Sequence, residues 1–169
     1  MGDFSTQTPG DFDRVLAVNI GGVIHGTRLA LEWMTARGGG AIVNMGSVAG
    51  FVPAPYLAAY SASKHAVVGF TRALHEELRL KQSNVRLILV SPGFVDTQLI
   101  QKGSQTLGFP EWLQWALSPP SVVTDAILSA LRGKQDEVVP TWNGRLMRGL
   151  HGVFPVTTLG GEYALGPQL

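Results

Sequence analysis

Apolar residues recur at helical spacing through Phe12, Val15, Leu16, Ile20, Val23, Leu29 and Met34. Ahead of them, Thr8, Pro9 and Asp11 supply a capping residue, a first-turn proline and an early negative charge. The pattern therefore predicts one long helix that starts near Thr8 and ends at Gly38-Gly39-Gly40. The period then changes: AIVNM is a short, β-branched apolar run closed by GSVAG, and it predicts a buried strand. Pro53 and Pro55 keep the next stretch irregular. The helical period returns along YLAAYSASKHAVVGFTRALHEELRL, with charges gathered at its end, until Ser83-Asn84 breaks it. VRLILVS, stopped by Pro92-Gly93, predicts a second fully buried strand. Two buried strands joined by a long helix form a βαβ unit, with the strands parallel and the crossover right-handed.

From Gln98 to Pro120 the periodicity fades into glycines, prolines and the aromatic cluster Phe109, Trp112 and Trp115. This predicts a loop with short helical pieces, of the kind that covers binding sites. The three aromatics either floor an apolar substrate pocket or belong to the core. SVVTDAILSAL then predicts an amphipathic helix, DEVVPTW a third strand and Asn143-Gly144 a turn. The apolar and basic RLMRGLHGVFP packs on the sheet or on another subunit, and the last dozen residues read as frayed.

Length bounds the chain to one globular unit, since 169 residues bury one substantial core but not two. The 13 basic against 12 acidic residues leave a net charge of +1 with no dense basic stretch, which argues against nucleic acid as a partner. Without cysteines there are no disulfides or thiolate chemistry, and the four histidines have no metal-ligand spacing. No apolar run is long enough to span a bilayer, and MGDFSTQTPGDFD is too polar for a secretory signal, so a cytoplasmic location is expected. The opening M-G-D-F-S-T matches a myristoylation pattern, which we read as accidental.

The chemistry begins with Tyr60 and Lys64, one helical turn apart on one face. A phenol titrates near ~10 and is a poor acid or base at neutral pH. An adjacent ammonium stabilises the phenolate and lowers that value, so Tyr60 could exchange protons with a hydroxyl or carbonyl. Ser47 ends the first predicted strand, at the sheet edge where open parallel sheets place their ligands; by itself it also reads as a turn residue. Asn19 is a polar residue on an apolar helix face, and by itself it reads more readily as a buried amide bonded to neighbouring backbone than as a functional group. A serine hydrolase fits poorly, because Ser47 lies in M-G-S-V-A-G rather than G-x-S-x-G, without a clear His/Asp order. His65 and His75 read as packing or solvent-facing residues of the Tyr60 helix.

Taken jointly, VNIGGVIHGT, IVNMGSVAG, YSASK and SPGFVDT resemble the motifs of the short-chain dehydrogenase/reductases, over about Asp11 to Leu131. The resemblance implies a catalytic tetrad of Asn19, Ser47, Tyr60 and Lys64. Tyr60 would donate or accept the substrate proton; Lys64 would lower its pKa and bond the nicotinamide ribose; Ser47 would hold the substrate oxygen. Asn19 would keep a relay water, a role served partly by distorted backbone that Gly21 and Gly22 would tolerate. Pro92 and Gly93 would turn the chain beside the nicotinamide, the Val95 backbone would bond its carboxamide and Thr97 would support it. The implied activity is reversible alcohol/carbonyl oxidation-reduction with NAD or NADP, the preference between them being unreadable.

The family's opening strand, glycine-rich turn and helix have no counterpart before Asn19, and its N-N-A-G stretch is also missing. The resemblance thus implies an α/β fold, a partial Rossmann-like doubly wound parallel sheet lacking the N-terminal βαβαβ half. Residues 1–150 would be the C-terminal catalytic part of a single Rossmann-like domain and residues 151–169 a tail. The IVNM strand is then expected to form an exposed apolar edge, with bared helix faces that favour aggregation or a partner. The expected partners are a small, apolar alcohol or carbonyl substrate and a second subunit, in a homo-oligomer formed through the two long helices. Alone, the chain is expected to bind cofactor poorly, and the competing reading is a non-catalytic dimerisation module.

Overall fold

Thr8 opens the first helix with a capping box: its hydroxyl accepts the Asp11 N–H while the Asp11 carboxylate accepts the Thr8 N–H. In the computed structural model, which describes residues 2–98, 100–101 and 115–153, α1 (Pro9–Leu16) runs into a π turn (Ala17–Gly21) and on into α2 (Gly22–Ala36). The single long helix expected from the apolar period is therefore continuous but widened at Asn19, where the Gly22 N–H reaches back five residues to the Ala17 carbonyl. Beyond α2 the chain reverses through Gly38 and Gly39, both at positive φ. A Cβ on Gly39 would lie 2.6 Å from the Asn84 carbonyl, so only glycine fits this crossing.

Strands β1 (Gly40–Met45) and β2 (Val85–Val90) pair in parallel, from Gly40↔Val85 to Met45↔Val90. Helix α3 (Ala58–Leu80) connects them. Helix α4 (Pro120–Arg132) leads to β3 (Glu137–Val138), which joins β2 in parallel and gives the order β1-β2-β3. The third strand is shorter than DEVVPTW, and β1 forms one edge of the sheet among the described residues.

Alternation along the strands feeds two cores. Ile42, Val85 and Leu87 pack with Leu78 against Ala30, Leu31, Met34 and Leu74 on the α2/α3 side. Ile88 and Val90 pack with Ala130 against Val123, Ile127 and Val138 on the α4 side. Helices thus cover both faces of the sheet, as in a doubly wound fold. One polar residue of β1 is buried between α2 and α3: Asn44 accepts from the Thr27 hydroxyl at 3.0 Å and donates to the Thr71 hydroxyl at 3.1 Å, which satisfies all three.

Asn143 and Gly144 do not form the expected turn. They lie in the first turn of α5 (Trp142–Val153), because the Thr141 hydroxyl accepts the Gly144 N–H at 3.2 Å and caps a helix there. The α5 helix is pinned to the sheet through Glu137, which pairs with Arg72 of α3 at 2.9 Å and with Arg148 of α5 at 2.7 Å. Both guanidiniums also stack on the Phe51 ring, 5.1 and 4.4 Å from its centroid. The 154–169 part of the expected tail, like Phe109 and Trp112, lies outside the described residues.

Candidate active site

The carboxyl ends of β1 and β2 are tied together backbone to backbone. The Gly46 N–H donates to Val90 O at 2.8 Å and the Val48 N–H to Pro92 O at 2.7 Å. This sets Ser47 beside the Pro92 turn, extended at φ −168°, with its hydroxyl accepting the Ala49 N–H at 3.2 Å above a short 3-10 turn (Val48–Gly50). Gly50 lets that turn sit against α3, since a Cβ there would be 2.6 Å from Lys64 O and 2.8 Å from Val68 Cγ2. The close approach brings the strand-end serine to the face of α3 that carries Tyr60 and Lys64.

The Ser47 hydroxyl faces the Tyr60 phenol. The Lys64 ammonium lies 5.7 Å from the Tyr60 ring centroid and donates to Met45 O at the end of β1, at 3.0 Å. Burial sets the direction for both groups: it pushes the Tyr60 phenol up, against the smaller lowering influence of the Ser47 hydroxyl, and holds the Lys64 ammonium below the ordinary lysine value. This differs from the sequence expectation that Lys64 lowers the tyrosine. The ammonium is engaged with the strand carbonyl beside the ring, and desolvation of the phenol wins. Each half-buried partner is held in its neutral form more than water would hold it.

Asn19 stands on the far side of the same helix end. Its amide donates to the Ser63 hydroxyl at 3.0 Å, and Ser63, fully buried, donates to the Tyr60 carbonyl at 2.7 Å. The π turn at Asn19 is thus anchored to the backbone of the tyrosine, by a side-chain bond rather than by neighbouring backbone. The structure brings Ser47, Tyr60 and Lys64 into one cluster and joins Asn19 to it through Ser63. That serine lies inside YSASK, and the sequence reading passed over it.

The loop after β2 completes the mouth. The Gly93 N–H donates to the Thr141 hydroxyl at 2.8 Å, Phe94 N–H to Asn143 Oδ1 at 3.0 Å and Asp96 N–H to Ser118 O at 2.9 Å. Val95 pairs with Ser118 as an isolated parallel bridge, which turns its own N–H to the opposite side. That N–H has no acceptor among the described residues. An amide donor so placed, in a loop whose neighbouring amides are satisfied, suits a carboxamide oxygen, and the Lys64 ammonium, with one carbonyl partner among the described residues, has N–H donors suited to vicinal hydroxyls. Thr97 is exposed at the start of the next segment, and Trp115 is 90% exposed, which removes it from the core. No cluster of three or more metal-ligating side chains occurs among the described residues, nor any helix long and apolar enough to cross a membrane.

Residues 1–108 match the model of the short chain dehydrogenase family, and the chain belongs to that family. It is 35% identical over 108 residues to mouse 15-hydroxyprostaglandin dehydrogenase [NAD(+)], covering 62% of this chain and 40% of that protein. It is 40% identical over 94 residues to the NADP-dependent (R)-specific alcohol dehydrogenase of Lentilactobacillus kefiri, covering 55% of this chain and 37% of that enzyme. A short chain dehydrogenase from Burkholderia cenocepacia J2315, solved in complex with NADP, superposes with a TM-score of 0.72 at 27% identity, over 90% of this chain and 64% of that one. The chain thus spans about two fifths of the length of these two curated relatives.

Proposed function

We propose that the site serves reversible oxidation of an alcohol to a carbonyl with NAD(H) or NADP(H), Tyr60 acting as general acid/base. The observation that carries this reading is the Lys64 ammonium beside the Tyr60 ring and bonded to Met45 O, with the Ser47 hydroxyl facing the phenol, at the carboxyl ends of two parallel strands. Bound nicotinamide would supply hydride transfer. Ser47 orients the substrate oxygen toward the phenol, and Tyr60 takes the hydroxyl proton in oxidation and returns one to the carbonyl oxygen in reduction. Lys64 holds the ribose hydroxyls with the N–H donors left beside its bond to Met45 O. The Val95 N–H holds the carboxamide and, with the Pro92-Gly93 turn, orients the ring. Asn19 keeps the π turn registered on the tyrosine backbone through Ser63 and supports the proton path. The relatives' names support a secondary alcohol as substrate class and leave the choice of dinucleotide open.

The test is turnover of a panel of secondary alcohols by the chain with each dinucleotide, wild type against Tyr60→Phe. Removing the phenolic hydroxyl is expected to lower turnover at least about a hundredfold. Equal turnover by the two proteins would exclude Tyr60 as the acid/base.

A second reading, an interaction module that pairs through its long helices, is favoured by one observation. Val18, Leu29 and Trp33 are 67%, 67% and 57% exposed along the first helix. Sedimentation with and without a full-length relative distinguishes the readings, since a chain that stays monomeric in both loses the interaction role.

A further inference from the structure

The structure assigns to Asn143 a positioning role outside the tetrad: it holds the loop 92–97 in shape and locks that loop to the stretch Ala116–Ser118, so that the two order as one unit. The inference rests on the reading of that loop as the nicotinamide end of the site. Asn143 is 5% exposed and uses both ends of its amide. Its Oδ1 accepts the Phe94 N–H at 3.0 Å and the Thr141 hydroxyl at 2.8 Å. Its Nδ2 donates to Phe94 O at 3.0 Å and to Ala116 O at 2.7 Å, with Ser118 Oγ at 3.4 Å. One side chain thus grips both the N–H and the C=O of Phe94, as a neighbouring strand would, and with its second amide hydrogen it reaches the Ala116 carbonyl.

Thr141, wholly buried, completes the clamp by accepting the Gly93 N–H at 2.8 Å while it caps α5. The fit is close enough to dictate the two glycines. A Cβ on Gly93 would collide with Asn143 Oδ1 and lie 2.7 Å from the Gly144 N, and one on Gly144 would lie 2.9 Å from the Gly93 N. The consequence falls on Val95. With Gly93 and Phe94 held by Thr141 and Asn143, and Asp96 held by Ser118, the Val95 N–H is kept on the side of the loop away from Ser118. Because the Ala116 and Phe94 carbonyls share one amide group, a displacement of Ala116 is transmitted to the loop that carries this donor.

The test compares the full chain with Asn143→Ala by amide hydrogen exchange and by titration with reduced nicotinamide mononucleotide, which carries the nicotinamide and ribose without the adenosine half. In the variant, the Phe94, Asp96 and Ser118 amides are expected to exchange at least about tenfold faster together, with β1 and β2 unchanged. In the wild type, the mononucleotide is expected to shift the Val95 amide resonance, and the variant is expected to bind it about tenfold more weakly. Unchanged exchange at Phe94, independent responses of the two segments, or equal affinity in the variant would overturn the assignment. Failure of the wild type to respond to the mononucleotide would sink the nicotinamide reading and the cofactor half of this proposal, while the exchange data alone decide the coupling. If Asn143→Ala does not unfold cooperatively, Asn143→Asp serves. It keeps the acceptor for Phe94 and Thr141, and it is expected to release Ser118 more than Phe94; the opposite order would overturn the coupling.

Discussion

Tyr60 and Lys64 show how one pair of side chains is tuned by where its helix lies. Both are half-buried at the mouth, and burial disfavours the charged form of each, so the phenol is pushed up and the ammonium down. For Lys64 the sign for stability follows from proton binding. The unfolded chain holds the proton at pH values where the folded chain has begun to lose it, so stability rises with pH toward the ordinary lysine value of 10.5. Lys64→Met is therefore expected to melt above the wild type near neutral pH, with the gap closing as pH approaches 10.5, as thermal unfolding across pH would record. A gap independent of pH would mean that the lysine's burial carries no proton-linked cost. Ser63 acts at the same scale: it is a hydroxyl with no room to move, and it converts the Asn19 amide into a brace for the tyrosine backbone.

At the scale of elements, the site depends on how closely the 3-10 turn after β1 approaches α3. Gly50 permits that approach, and Gly50→Ala would drive a methyl into Lys64 O and Val68 Cγ2. Backbone cannot yield as a flexible side chain does, so the substitution is expected to cost about 1–3 kcal/mol, read as a lower denaturant midpoint at unchanged slope. Helix α3 also carries Arg72 to Glu137, and Glu137 in turn holds Arg148 of α5. The Arg72 bonds are the main reason the Glu137 carboxyl lies below its ordinary value. A carboxylate so lowered contributes stability that is fully present above about 4.5 and is lost as pH falls through the folded value. Glu137→Gln is expected to flatten that part of the acid-unfolding profile. An identical profile in the two proteins would show the pair to be screened into irrelevance.

At the scale of the whole molecule, the described residues form a three-stranded parallel sheet with helices on both faces, β1 at its edge and apolar side chains on the outside of the first helix. Leu29 and Trp33 lie four apart, on one side of α2, and both are more than half exposed. Such a stripe favours association, and Leu29→Glu with Trp33→Glu is expected to weaken any self-association about tenfold or more by sedimentation, without loss of the two cores on the sheet. Unaltered association would direct the search to the β1 edge instead.

The local chain determined a good deal by itself. The capping triplet at Thr8, the switch from helical to strand period at AIVNM and the stop at Pro92-Gly93 are short-range signals, and the helices and parallel strands lie where those signals point. The Tyr60 and Lys64 spacing was legible for the same reason, because one helical turn sets it. Three features were not legible. The π turn at Asn19 leaves the apolar period almost unchanged. The helix at Asn143 was hidden behind an Asn-Gly pair that ordinarily signals a turn, although Thr141 followed by Trp142, Leu146 and Leu150 at helical spacing could have revealed it. The direction of the Tyr60 shift was decided by desolvation, which depends on how much protein surrounds the phenol. Hydrogen-bond period and caps are properties of neighbours along the chain. Burial, the Phe94 clamp and the placement of the Val95 N–H away from Ser118 are properties of neighbours in space, and only the packing of the strand ends against α3, α5 and the Ser118 segment decided them.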